Sequence, residues 1–183
     1  DGTASSGGDA AGDTILNVEH VIGTGYDDTI VGTGVNETLE GGAGNDTLVG
    51  GAGADVLDGG AGFDTADYSS AGGIVVRMDG AAGTAGEANG DVLISIEKVI
   101  GSSLADIIIG STGADTIVGG DGDDIFQPGL GADTLDGGNG IDTVDYSSSA
   151  SALTVNLTNA ALSTGLAQGD TYTAIEQFIL SSF

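Results

Sequence analysis

The sequence has no cysteine and no tryptophan, one proline, one histidine, and only two basic side chains, Arg77 and Lys98, in 183 residues. Without cysteine there are no disulfides and no thiolate zinc sites. A metal can serve as the staple instead, so the lack of disulfides does not place the chain in the cytosol. With so little Lys and Arg, no basic surface exists to neutralise phosphates, which excludes nucleic-acid binding by backbone contact. A Ser/His/Asp arrangement would have to rest on His20 alone, and a zinc hydrolase needs several histidines or cysteines. Carboxylate pairs can be drawn almost anywhere among 28 acidic residues, so their presence does not argue for a glycosidase. The chain is therefore read as not an enzyme. No apolar run approaches the roughly 18 residues that cross a membrane as a helix, and no membrane insertion is expected. The first residues carry neither an initiator methionine nor a signal-peptide pattern. The expectation is a piece of a longer array.

What is present is acid and glycine. The formal net charge is -26 and there are 36 glycines, yet 39% of residues are hydrophobic and the mean hydropathy is +0.18. Charge of one sign opposes compaction, and glycine with high charge resembles a disordered chain. The hydrophobic content is still enough for a core. The two facts agree if something positive that is not protein neutralises the acids, and metal cations are the obvious candidate.

The periodicity is nine residues. Residues 23 to 67 read GTGYDDTIV, GTGVNETLE, GGAGNDTLV, GGAGADVLD, GGAGFDTAD, and residues 101 to 145 read GSSLADIII, GSTGADTIV, GGDGDDIFQ, PGLGADTLD, GGNGIDTVD. The sixth position is an acid in every frame: Asp28, Glu37, Asp46, Asp55 and Asp64, then Asp106, Asp115, Asp124, Asp133 and Asp142. The eighth is apolar: Ile30, Leu39, Leu48, Leu57 and Ala66, then Ile108, Ile117, Phe126, Leu135 and Val144.

Each block ends in DTADYSS (64–70) or DTVDYSS (142–148) and is followed by an alternating segment, IVVRMD (74–79) or LTVNLT (153–158). Ile74, Val76 and Met78, and their counterparts Leu153, Val155 and Leu157, are expected on the inner face of a half-buried strand. A tail closes each unit: GDVLISIEKVIGSSL (90–104) and GDTYTAIEQFILSSF (169–183), with a further copy, GDTILNVEHVIGTGY, at 12–26. The organisation read from this is the tail of a preceding module (1–22), a first module (23–100) and a second (101–183).

Physically the unit is six loop residues and three strand residues, with the middle strand residue pointing inward. Two units make a coil of 18 residues, and successive coils stack as parallel strands around a thin core. The expected fold is all-β: a parallel β-roll, or β-solenoid, of two repeat blocks, each followed by a capping strand segment. Glycine lets the loop turn with positive φ and bares its carbonyls. A hard cation takes six to eight oxygens from carboxylates and carbonyls. Candidate metal-site residues are thus the ten acids above with the loop glycines Gly41, Gly42, Gly44, Gly50, Gly51, Gly53, Gly59, Gly60, Gly62, Gly119, Gly120, Gly122, Gly129, Gly131, Gly137, Gly138 and Gly140. Because a coil is two repeats, the expected partners are Asp28 with Asp46, Glu37 with Asp55, Asp46 with Asp64, Asp106 with Asp124, Asp115 with Asp133, and Asp124 with Asp142. Without an ion, carboxylates a strand spacing apart, about 4.8 Å, repel by roughly 3–4 kcal/mol at an effective dielectric near 20. Metal binding is then expected to be folding itself.

The pattern GGxGxDxUx, clearest at 41–49, 50–58 and 137–145, resembles the RTX (repeats-in-toxin) nonapeptide, a Ca²⁺-binding parallel β-helix repeat. With the tails and DYSS segments, the resemblance covers nearly all of 18–183. Three frames lack the fourth-position glycine (GTGYDDTIV, GTGVNETLE, GSSLADIII) and Glu37 replaces the usual Asp, so the first loops of each block are expected to be weak sites or caps. The resemblance implies several Ca²⁺ ions as cofactor, export by type I secretion, and folding outside the cell as a stalk, spacer or surface-layer segment. The alternative is an accessory module of a secreted enzyme, such as a mannuronan epimerase or metalloprotease, binding polysaccharide. Four Tyr and four Phe offer little for sugar stacking, and an anionic glycan would need Ca²⁺ as a bridge. Neighbouring modules of the same chain, polysaccharide and identical subunits are the partners considered.

His20, Lys98 and Gln177 are equivalent and read as solvent-exposed, and Arg77 as a surface residue. Glu19, Glu97 and Glu176 are either hydrogen-bonded, exposed, or ligands of a further ion. Asp67 and Asp145 close the last ion site or cap the stack. Tyr68 and Tyr146 are read as packing over the end of the roll.

Overall fold

The computed structural model describes residues 18–182. Sixteen strands follow in order: β1 (His20–Ile22), β2 (Thr29–Val31), β3 (Thr38–Ala43), β4 (Thr47–Val49), β5 (Val56–Ala61), β6 (Thr65–Asp67), β7 (Val75–Arg77), β8 (Val92–Ile94), β9 (Lys98–Ile100), β10 (Ile107–Ile109), β11 (Thr116–Asp121), β12 (Ile125–Gln127), β13 (Thr134–Asn139), β14 (Thr143–Asp145), β15 (Thr171–Thr173) and β16 (Gln177–Ile179). There is no α-helix among the described residues. The Thr-Leu-Val type triplets favour extended backbone, and glycine loops prevent their continuation as helix.

Every ladder is parallel, and within a block the register is one coil: Thr29 pairs with Thr47, Leu39 with Leu57, Ile117 with Leu135. This is a parallel β-roll. Four strands run three residues longer than the nine-residue frame implies. In β3, β5, β11 and β13 the ladder continues into the next loop, where Gly42 pairs with Gly60 and Gly120 with Gly138. Glycine permits this because nothing but backbone stands between those loops.

One sheet has seven strands in the order β2-β4-β6-β9-β11-β13-β15 and takes strands from both blocks. Opposite it are a four-stranded sheet, β1-β3-β5-β8, and a five-stranded sheet, β7-β10-β12-β14-β16. The three tail strands β7, β8 and β9 add an odd number of half-coils. Odd repeats, which supply β2, β4 and β6 to the long sheet in the first block, therefore supply β10, β12 and β14 to the five-stranded sheet in the second. The eighth-position side chains form the core, with Leu48, Leu57, Ile108, Ile117, Phe126 and Leu135 fully buried.

The alternating segments part company. Ile74, Val76 and Met78 are buried, and β7 pairs with β10 as Val75 with Ile107, Val76 with Ile108 and Arg77 with Ile109. The counterpart at 153–158 does not form the expected buried strand. Thr154 makes one antiparallel bridge to Thr164, Leu153 and Val155 are half-buried, and Leu157 is 64% exposed. Among the described residues no strand lies against it as β10 lies against β7. Part of the 12–26 tail copy and Phe183 lie outside the described residues.

Candidate metal centre

Stacking places the sixth-position acids in four rows. In each row a backbone N–H donates to a carboxylate oxygen one coil further on. Asp28 donates to Asp46 Oδ1 (2.8 Å), Asp46 to Asp64 Oδ1 (2.8 Å) and Asp64 to Glu97 Oε2 (2.9 Å). Beside that row, Glu37 donates to Asp55 Oδ1 (2.9 Å) and Asp55 to Asp91 Oδ1 (2.8 Å). In the second block Asp106 donates to Asp124, Asp124 to Asp142 and Asp142 to Glu176, at 2.8, 2.9 and 2.9 Å. Asp115 donates to Asp133 and Asp133 to Asp170, at 2.9 and 3.0 Å. The six expected partner pairs are thus neighbours in adjacent coils, joined by an N–H to carboxylate bond.

The second carboxylate oxygen sorts these acids into three kinds. Asp46, Asp55, Asp64, Asp124, Asp133 and Asp142 each have a buried Oδ2 that accepts no hydrogen bond. All six lie in row interiors. The acids that begin the rows are satisfied by their own loop. Thr24 donates its N–H (2.6 Å) and its hydroxyl (2.8 Å) to Asp28 Oδ2, and Thr33 caps Glu37 with the same two groups. Ser102 caps Asp106 and Ser111 caps Asp115, with hydroxyl bonds of 2.9 and 3.0 Å. Asp91 and Asp170, which end two rows, receive the phenol hydroxyls of Tyr68 (2.8 Å) and Tyr146.

Position two of the repeat separates capped from uncapped acids. Interior repeats there carry a glycine such as Gly42, whose φ is +111° and whose missing side chain leaves room for the Thr24 carbonyl of the coil before. First repeats carry Thr or Ser, which turns back on the acid. The expectation of caps in the first loops was tied to position four. Yet Asp115 is capped although its repeat has Gly113 there.

The uncapped oxygens do not stand alone. A Cβ at Gly41 would collide with both Asp46 Oδ2 and the Gly59 carbonyl oxygen of the next coil. Gly119 stands likewise before Asp124 Oδ2 and the Gly137 carbonyl, Gly59 before Asp64 Oδ2 and the Ser95 carbonyl, and Gly137 before Asp142 Oδ2 and the Ala174 carbonyl. Ser95 and Ala174 are equivalent and hold φ of +50° and +49°, unusual for non-glycine residues. That backbone aims their carbonyls into the last cradle of each long row.

Two acceptors facing one space without a donor call for a proton or a cation. Burial, reinforced by neighbouring carboxylates, pushes Asp55 up to about 6 and Asp124 and Asp133 to about 7. Asp64 and Asp142 are raised for the same first reason. Among the described residues no three acidic or imidazole side chains gather as a metal cluster, so a cation here would draw on backbone carbonyls. The donors are all oxygen, which suits a hard cation.

Residues 31–66, 100–135 and 109–144 match the family model of the RTX calcium-binding nonapeptide repeat (4 copies). Residues 31–66 and 100–144 are RTX calcium-binding repeats. No curated protein matches the chain. The RTX loops fit the ion their family binds. Each interior loop presents an unpaired carboxylate oxygen, most of them with a carbonyl from the next coil beside it.

The remaining acids play other parts. Glu97 and Glu176 accept the Asp64 and Asp142 N–H groups and so end the long rows. Asp67 and Asp145 lie outside the rows and accept N–H bonds from Ser69 and Ser147 in the turns after each block. His20 sits 2.7 Å from Glu40, and Arg77 is ion-paired with Asp79. Sequence reasoning passed over Asp91 and Asp170, although the Gly-Asp that opens both tails was a usable signal. It read Tyr68 and Tyr146 as packing alone, and their hydroxyls do more.

Proposed function

We propose that the chain is a Ca²⁺-driven folding module of a secreted protein, disordered at cytosolic Ca²⁺ and folded outside the cell after type I export, where it serves as a stalk, spacer or surface-layer segment. One observation carries the reading: six buried carboxylate oxygens without a donor among the described residues, in a chain of net charge -26. A bound cation supplies charge neutralisation and links adjacent coils. Asp46, Asp55, Asp64, Asp124, Asp133 and Asp142 act as its carboxylate ligands, with the loop carbonyls beside them. Asp28, Glu37, Asp106 and Asp115 contribute less, because each already holds two donors from its own loop, and Asp106 a third from the Ile74 N–H. Residues 23–100 and 101–183 are two modules of one stack. Extracellular-type sites bind at about 10⁻⁴–10⁻³ M, and each site held at ten times its dissociation constant adds roughly 1.4 kcal/mol. Several sites acting together outweigh the self-repulsion only where Ca²⁺ is abundant.

The test is far-UV circular dichroism during a Ca²⁺ titration, with Mg²⁺ as control. A cooperative gain of β signal near millimolar Ca²⁺, absent with Mg²⁺, is expected. A chain fully folded in excess chelator would overturn the reading.

A further inference from the structure

The two short rows end differently from the way their interiors run. Asp91 and Asp170 are 0% and 1% exposed, and each takes a neighbour's N–H on Oδ1 as the interior acids do. They differ in one respect. Their Oδ2 holds a phenol hydroxyl where the interior Oδ2 atoms hold nothing. The tyrosines come from DYSS, four residues after the last repeat acid of each block, and are themselves 2% and 0% exposed.

We propose that Tyr68 and Tyr146 terminate the two short cation rows, each hydroxyl taking at Asp91 or Asp170 the place a cation takes at the interior carboxylates. This rests on the Ca²⁺ reading above. A buried carboxylate needs a positive partner, either an ion or hydrogen-bond donors. An ion at the end of a row would have a full coil on one side and only the tail on the other. The phenol avoids that half-built cage. Burial and the adjacent Asp91 carboxylate push the Tyr68 hydroxyl far above its ordinary range, so the donor keeps its proton. In the second module the Tyr172 hydroxyl lies 2.7 Å from that of Tyr146, at the place Leu93 takes in the first. A second phenol there can replace the first.

The experiment counts Ca²⁺ ions per chain by native mass spectrometry and calorimetric titration, on the whole chain. Tyr68→Phe is expected to bind one ion more than the wild type, and so is the pair Tyr146→Phe with Tyr172→Phe. Adding Asp91→Asn to Tyr68→Phe removes the demand and returns the count to the wild-type value. Wild type and Tyr68→Phe binding equal, nonzero numbers of ions would overturn the termination role and leave the Ca²⁺ reading standing. A wild type that binds none would overturn both. Tyr68→Phe remaining unfolded in saturating Ca²⁺ would overturn the proposal too, since no ion would then have replaced the hydroxyl. So would failure of the Tyr68→Phe, Asp91→Asn chain to fold, because that pair loses the hydroxyl and the charge together.

Discussion

In the first tail Val76 is fully buried and β7 is paired along its length with β10. In the second tail Val155 is half-buried, Leu157 is exposed, and the segment keeps only the bridge from Thr154 to Thr164. The same contrast runs through the closing strands: Leu93 and Val99 are buried, whereas their counterparts Tyr172 and Phe178 are half-buried and pack edge-to-face on each other at 5.1 Å between centroids. The first tail is followed by a further coil, in which β10 pairs with β7 and β11 with β9, whereas among the described residues no strand pairs on that side with 153–158 or β16. In a roll, a strand is completed by its neighbour.

The sharpest way to break this comparison is to cut the side chain at the equivalent position from both tails. Ile74→Ala should destabilise the folded chain by about 2–5 kcal/mol, the range for a buried aliphatic residue. Leu153→Ala should cost roughly 1 kcal/mol or less, because half-buried area is lost and no closed cavity forms. Urea denaturation in saturating Ca²⁺ measures both. Equal costs would show that 153–158 is as well covered as 74–79.

A smaller effect separates the blocks by pH. Folding raises the carboxyl values of Asp55 to about 6 and of Asp124 and Asp133 to about 7, against about 3.9 for a free Asp. A raised folded value means that the folded state holds protons more tightly. In chelator, the resulting stability is therefore greatest near pH 4 and is lost as pH rises through 6 to 7. Acidification should restore β signal without Ca²⁺, and the second block should hold its structure to the higher pH. Hydrogen exchange resolved by peptide, in chelator from pH 7 to 4.5, checks the order. If these carboxylates ligate Ca²⁺ as proposed, the sign should reverse under Ca²⁺, since protons would compete with the ion for the same oxygens.

The smallest expected effect concerns Ser95 and Ala174, which hold positive φ at equivalent places. Glycine removes the steric penalty of that conformation and loosens the unfolded chain. Ser95→Gly and Ala174→Gly should each stabilise by roughly 0.5–1 kcal/mol. Equal gains, read from thermal melts in Ca²⁺, would show that these two turns escape the difference between the tails.

Much of the architecture was legible in the residues. The nine-residue period, the inward eighth position and the acid at the sixth follow from local pattern, and each found its place: Leu48 and Ile117 in the core, Asp46 beside Asp64, Asp124 beside Asp142. The partner pairs were legible because 18 residues make a coil. Asp91 and Asp170 were not, since they join their rows from 36 and 37 residues away, through the tail rather than the period. The role of Thr24 and Ser111 was hidden for a related reason. The hydroxyls at position two cap their acids in the first repeats, whereas the interior repeats carry glycine there, against a carbonyl of the coil before.

By itself the sequence determined the repeat, the roll, the charge that demands cations, and the acids that line the loops, because all of these depend on neighbours at a fixed short spacing. Tertiary structure alone decided which carboxylate oxygens remain without a donor, which strands of the two tails are completed, and that a single seven-stranded sheet joins both blocks. Those outcomes depend on what lies one coil above or below. That neighbour is set by stacking, so two similar stretches of chain can meet different surroundings and end as different structures.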